Sequence, residues 1–159
     1  MGVEIERKYL VDPEQWQQLE KPKGIPFKQG YLLNEENRTI RVRMTDEHGY
    51  ITLKGPTQGF SRKEYEYTIP IAEAQELIAN FALTTVQKTR YCIDYAGKTW
   101  EVDVFEGDNA GLLMAELELD DESETFELPP WITKEVTGDK RYYNGFLSRH
   151  PFKEWGGGE

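Results

Sequence analysis

Like charges recur at a spacing of two along this chain. Glu4 and Glu6, Arg41 and Arg43, Glu64 and Glu66, Lys88 and Arg90, Glu101 and Asp103, and Glu116 and Glu118 each form such a doublet. In an extended strand, residues i and i+2 share a face and lie roughly 6.5–7 Å apart. Two like charges at that distance repel by about 0.6 kcal/mol in water and by about 2.5 kcal/mol at an effective dielectric of 20. A surface patterned only for solubility would intersperse the signs. With Lys8 and Lys54 added, the strands present eight acids and six bases. If the sheet closes on itself, those faces line a charged, water-filled interior. Clustered carboxylates suit a hard divalent cation, Mg²⁺ or Mn²⁺. Clustered Arg and Lys suit a compact polyanion, because phosphate oxygens match the guanidinium fork. Together they describe a metal–polyphosphate site.

The elements that must carry these side chains are mostly strands. Segments 3–11, 39–44, 50–54, 63–69, 87–93, 100–105 and 115–119 alternate apolar and charged residues with period two, and QGYLL around Tyr31 supplies an eighth strand. Asp12-Pro13 opens a short helix through Leu19, with Asp as N-cap and Pro in the first turn. Ile71 to Phe81 has helical spacing, and a third helix is expected over about Asp139 to Ser148. The fold class is therefore all-β to α+β, largely antiparallel.

Composition narrows the function. The chain has 159 residues, enough for one domain, expected over 1–152 with 153–159 as a flexible tail. Its net charge of −10 disfavours general nucleic-acid binding, which needs a basic footprint. No apolar run is long enough to span a bilayer, and no membrane partner is expected. The opening MGVEIERKYLV lacks the plan of a secretory signal. Cys92 is the only cysteine, so an internal disulfide and a multi-cysteine zinc site are excluded and a reducing cytoplasm is expected. His48 and His150 lack ligand spacing, and phosphate-loop, dinucleotide and nucleophile-elbow motifs are absent.

The order of the motifs resembles the CYTH superfamily, the triphosphate tunnel metalloenzymes, and within it the short bacterial inorganic triphosphatases. Glu4-Ile5-Glu6-Arg7-Lys8 looks like its ExExK signature. The remainder follows in sequence: Arg41/Arg43, TLK at Lys54, EYEY at Glu64/Glu66, KTRY at Lys88/Arg90, EVDVFEG, AELEL and EVTGDKRYYN. The resemblance implies a closed eight-stranded antiparallel β-barrel with a few flanking helices, whose tunnel holds a triphosphate and a divalent metal. It implies metal-binding roles for Glu4, Glu6, Glu116 and Glu118, with Glu64, Glu66 and Asp103 as further acidic tunnel positions. It implies phosphate-binding roles for Lys8, Arg41, Arg43, Lys54 and Arg90, with Lys134 and Arg141 in a more variable stretch. It also implies a Lys88–Tyr31 catalytic dyad, in which Tyr31 hydrogen-bonds and orients Lys88.

The activity expected is metal-dependent hydrolysis of inorganic triphosphate to pyrophosphate and phosphate. Nucleoside or thiamine triphosphate hydrolysis, cyclisation of ATP as in class IV adenylyl cyclases, and a non-catalytic polyphosphate-binding module stay open as alternatives. Because a polar-lined barrel must cover its outer apolar face, a homodimer is also expected.

Overall fold

The computed structural model describes residues 2–59 and 61–155. In chain order the elements are β1 (Gly2–Val11), α1 (Pro13–Gln18), β2 (Ile25–Asn34), β3 (Thr39–Met44), β4 (Gly49–Gln58), β5 (Ser61–Ile69), α2 (Ile71–Phe81), β6 (Thr84–Tyr95), β7 (Lys98–Phe105), β8 (Leu113–Glu118), β9 (Ile132–Glu135) and α3 (Asn144–Arg149). Strands β5-β4-β3-β2-β6-β7-β8-β1 pair in that order, and a β5–β1 pairing closes the ring. Every pairing is antiparallel. The eight-stranded barrel expected from the sequence is thus present. One strand was not foreseen: β9 continues the edge of β1 past the end of β5, pairing Tyr9 with Glu135 and Val11 with Ile132.

Period-two alternation sorts the side chains as expected, charged inward and apolar outward. Two separate cores cover the outer face. Trp100, Val102, Leu117, Tyr9 and Ile93 pack beneath Trp16 of α1 and beneath Leu119 and Trp131 of the β8–β9 connection. Tyr9, Trp100, Phe126 and Trp131 meet edge to face at 5.5–6.1 Å around Trp100, a preferred aromatic geometry. On the other side, Ala74 and Ile78 of α2 bury Val42 of β3. Gly30 permits this approach, since a Cβ there would lie 2.8 Å from the Ala82 Cβ.

The interior departs from the sequence reading in one respect. Charge fills only part of it. At one end Val86, Phe105, Met114 and Leu10 take the inward positions next to Lys88, Asp103, Glu116 and Lys8, and they pack against Val136, Tyr142 and Leu147. The C-terminal segment that brings these capping residues is not the single helix expected. Asp139 caps a short 3₁₀ turn, Lys140–Tyr142, by accepting from the Arg141 N–H. Tyr143 then takes an extended backbone (φ −74, ψ 138) before α3 begins, so two short helical pieces replace one. The described chain also stays anchored past residue 152. Phe152 and Trp155 pack on the same apolar cluster, and Phe152 N–H donates to Asn109 Oδ1 at 2.8 Å. Residues 153–155 are therefore folded, and the remainder of the expected tail lies outside the described residues.

Candidate active site

The polar part of the barrel interior encloses a cavity of about 640 Å³. The wall it presents is set by strand register. Pairing of β1 with β8 places Glu6 directly opposite Glu118 and Lys8 opposite Glu116, and pairing of β7 with β8 places Glu101 opposite Glu116. Directly opposed residues have Cβ atoms roughly 4.5–5.5 Å apart, where like charges oppose each other. Burial and the neighbouring Glu116 push the Glu6 carboxyl up to about 8, against the pull of Lys8. Glu118 is raised by burial and by Glu4 and Glu64. Glu4 goes the other way: burial opposes ionisation, but Lys54, which donates to it at 2.8 Å, holds the carboxyl below its ordinary value. Lys54 also lies 3.7 Å from Glu64.

Across the cavity stand the guanidinium groups of β3. Arg41 donates to Thr52 Oγ1 at 3.3 Å, and Thr52 donates to Glu66 at 2.8 Å. Arg43 lies 3.6 Å from Glu66 and sits over the Phe27 and Tyr50 rings. Burial together with Arg41 and Arg90 lowers the Arg43 pKa to about 10. The buried Nε atoms of both Arg41 and Arg43 have no hydrogen-bond partner. Buried donors without acceptors are costly.

Between the two poles runs a buried ionic chain. Arg90 grips Asp103 with two hydrogen bonds, at 2.8 and 2.9 Å, and reaches Glu116 at 3.1 Å. Lys88 Nζ lies 2.7 Å from the same Asp103 and donates to Asn144 Oδ1 at 2.9 Å. Burial lowers the Lys88 pKa to about 8; Asp103 resists this and Arg90 adds to it. Burial would raise Asp103 and Glu116, but the cations beside them hold both carboxyls low. Lys8, near Glu116 at 3.4 Å and Glu6 at 3.6 Å, is held protonated by them despite its burial.

The sequence-derived site residues fall into three groups. Glu4, Glu6, Glu64, Glu66, Glu116 and Glu118, the bases Lys8, Arg41, Arg43, Lys54 and Arg90, and the pair Lys88 and Tyr31 all line the cavity. Asp103 is on the inward face but fully buried beneath Arg90 and Lys88, which take both its carboxylate oxygens. There it serves as counter-ion to two cations. Lys134 and Arg141 do not line the cavity. Lys134 is exposed on β9 opposite Leu10, and Arg141 is turned onto Asp139 at 2.8 Å.

Tyr31 and Lys88 do not meet as expected. The Tyr31 hydroxyl accepts from Gln29 Nε2 at 3.5 Å, and Lys88 is held by Asp103 and Asn144. Register explains the separation, since Tyr31 pairs with Thr84 and Lys88 with Phe27, four residues along the ladder.

Sequence reasoning missed Arg62, Lys140, Asn144 and Arg149, all of which line the cavity. Arg62 was legible, being in phase with Glu64 and Glu66. The other three come from the irregular C-terminal segment, where no periodicity marks an inward face.

The donor chemistry fits a hard divalent cation. All the clustered acids offer carboxylate oxygens, and burial together with neighbouring carboxylates raises Glu6 and Glu118. Among the described residues no three acidic or imidazole groups converge as a ready-made cage.

A closed antiparallel barrel whose interior sets carboxylates against guanidinium and ammonium groups around one cavity defines a tunnel-type fold with a charged lumen. The chain belongs to the CYTH domain family, whose sequence model matches residues 2–143. It is 44% identical over 156 residues to an inorganic triphosphatase of Acetivibrio thermocellus, covering 98% of this chain and 99% of the relative. It is 36% identical over 149 residues to an inorganic triphosphatase of Nitrosomonas europaea, covering 91% and 96% respectively. The crystal structure of the inorganic triphosphatase NE1496 superposes with a TM-score of 0.63 at 32% identity, covering 91% of this chain and 96% of that one.

Proposed function

We propose that this chain hydrolyses inorganic triphosphate to pyrophosphate and phosphate within the barrel. The observation that carries this reading is the juxtaposition, in one cavity, of the Arg41 and Arg43 guanidinium groups with carboxyls raised by burial and by neighbouring carboxylates. A triphosphate would meet the first and a divalent cation the second, and the two inorganic triphosphatase relatives support the choice of substrate.

Glu4, Glu6, Glu116 and Glu118, with Glu64 beside them, are the residues that would hold Mg²⁺ or Mn²⁺. Such an ion supplies neutralisation of charge on the phosphate oxygens. Arg41, Arg43, Lys54, Arg90 and Lys8 bind the phosphates and stabilise charge as the leaving group departs. Lys88, with its pKa lowered to about 8, is neutral in part of the population near physiological pH. It accepts a proton from water as the water oxygen bonds to the terminal phosphorus; the bridging P–O bond breaks and pyrophosphate leaves. Tyr31, buried and raised by that burial, stays protonated and donates its hydroxyl hydrogen toward the cavity.

The test is phosphate release from equal concentrations of tripolyphosphate, ATP and thiamine triphosphate with Mg²⁺, Mn²⁺ or EDTA. We expect strong preference for tripolyphosphate and loss of release in EDTA. Comparable release from ATP would move the assignment to a nucleoside triphosphatase, and cyclic nucleotide product to a cyclase.

Among the described residues no helix is long and apolar enough to cross a membrane. The free thiol of Cys92 is exposed, which supports a reducing, cytoplasmic setting. Val3, Leu53 and Tyr67 lie exposed on the outer faces of β1, β4 and β5, away from both outer cores. Their exposure supports a homodimer, and sedimentation at micromolar concentration should return twice the chain mass; a monomer would remove that part of the reading.

A further inference from the structure

Lys88 of β6 reaches the cavity with its side chain almost wholly buried. Its ammonium has three donors. One is directed to Asp103 at 2.7 Å and one to Asn144 Oδ1 at 2.9 Å, above the Phe105 ring at 5.5 Å. No third partner is present among the described residues, and Lys88 lines the cavity. Two fixed anchors on a tetrahedral nitrogen determine where its remaining position points.

The anchors differ in origin. Asp103 belongs to the barrel wall, while Asn144 belongs to the C-terminal segment that caps the apolar end. That segment is itself tied to the barrel at independent points. Asn34 donates to the Gly145 carbonyl at 2.9 Å, and Ser148 and Thr84 share a hydroxyl contact at 2.7 Å. The extended Tyr143 backbone ends the 3₁₀ turn one residue early and presents Asn144 as the first residue of α3, with its side chain in the cavity. The Asn144 side-chain oxygen accepts from Lys88.

We infer that Asn144 is a positioning residue for the triphosphatase reaction, holding the Lys88 amine so that its one uncommitted position faces the attacking water. The inference rests on the proposed triphosphatase reading and deepens it. An amide suits both stages of a proton transfer. Its oxygen accepts from the ammonium, and after rotation its NH₂ donates to the neutral amine. A carboxylate can only accept and so favours the ammonium over the neutral amine, and an aliphatic group holds neither form.

The experiment compares wild type with Asn144→Ala and Asn144→Asp in tripolyphosphate hydrolysis across pH, with Tm recorded for each. Wild-type turnover is the control: its absence would sink the triphosphatase reading itself. Given wild-type turnover, Asn144→Ala should keep a wild-type Tm and KM while kcat falls roughly ten- to a hundredfold, the factor a lost charge-assisted hydrogen bond represents. Asn144→Asp should displace the rising limb of the kcat–pH profile to higher pH. It would add to Asp103 and Glu116, which already favour the ammonium against Arg90. An Ala variant with unchanged kcat, or one whose KM and Tm change with kcat, would overturn the inference. So would an Asp variant with an unshifted profile.

Discussion

Replacing Lys88 with alanine is expected to lower kcat for tripolyphosphate by roughly a hundredfold to ten-thousandfold, the range a positioned general base contributes. KM should change little, because Arg41, Arg43 and Lys54 still bind the phosphates. Lys88→Arg is the informative partner variant. It keeps a cation in the same place, and a guanidinium does not act as a base near neutrality. If it is as slow as the alanine variant, the amine lone pair is the required feature; if it restores turnover, Lys88 serves only as a charge. The pH profile gives an independent check. A base works unprotonated, so wild-type kcat should rise with pH through about 8, where burial has brought the Lys88 pKa, and both variants should lose that limb. Near-normal turnover in Lys88→Ala would assign water activation to the metal alone.

The residues argued over here were legible in the sequence to different degrees, for a physical reason. Inward strand positions carry a two-residue period, so Glu4/Glu6, Arg41/Arg43 and Glu116/Glu118 could be placed on one face without coordinates, and the structure sets them around one cavity. Period alone does not report depth along a strand. Val86 and Lys88 share a face, yet one packs in the apolar end and the other in the polar part. For the same reason Asp103 reads like Glu101, yet Glu101 lines the cavity while Asp103 is covered by Arg90 and Lys88 as their counter-ion. Partners in loops carry no period at all. Asn144 could not be distinguished from its neighbours in GDKRYYNGF, because its aim depends on the extended backbone of Tyr143. The Lys88–Tyr31 contact failed on register, since family resemblance names residues and leaves out hydrogen-bond geometry.

Substitution of Asp103 by asparagine should destabilise the fold by about 3–5 kcal/mol, the usual cost of removing one partner from a buried ionic group. At roughly 2–4 °C per kcal/mol for a chain of this size, thermal denaturation should show a Tm lower by about 6–20 °C. The cost arises because Lys88 would lose its anion and Arg90 its bidentate partner in a buried setting, leaving Arg90 only the single contacts to Glu116 at 3.1 Å and Glu101 at 3.2 Å. The effect should depend on pH in a definite direction. Asp103 has a folded pKa below its ordinary value, so its contribution is present above the unfolded carboxylate range and is lost as pH falls through the folded pKa. Lys88 has a folded pKa of about 8 against an ordinary 10.5. The folded state therefore binds fewer protons than the unfolded state in that window, and stability rises with pH across it. Without Asp103 the Lys88 pKa drops further and that window opens at lower pH, because a neutral amine tolerates burial better than an unpaired ammonium. The difference in stability between wild type and Asp103→Asn should therefore be larger at pH 6 than at pH 9. A pH-independent difference would mean that Lys88 keeps its proton in the variant, and the lowered Lys88 pKa on which its role as base depends would have to be given up.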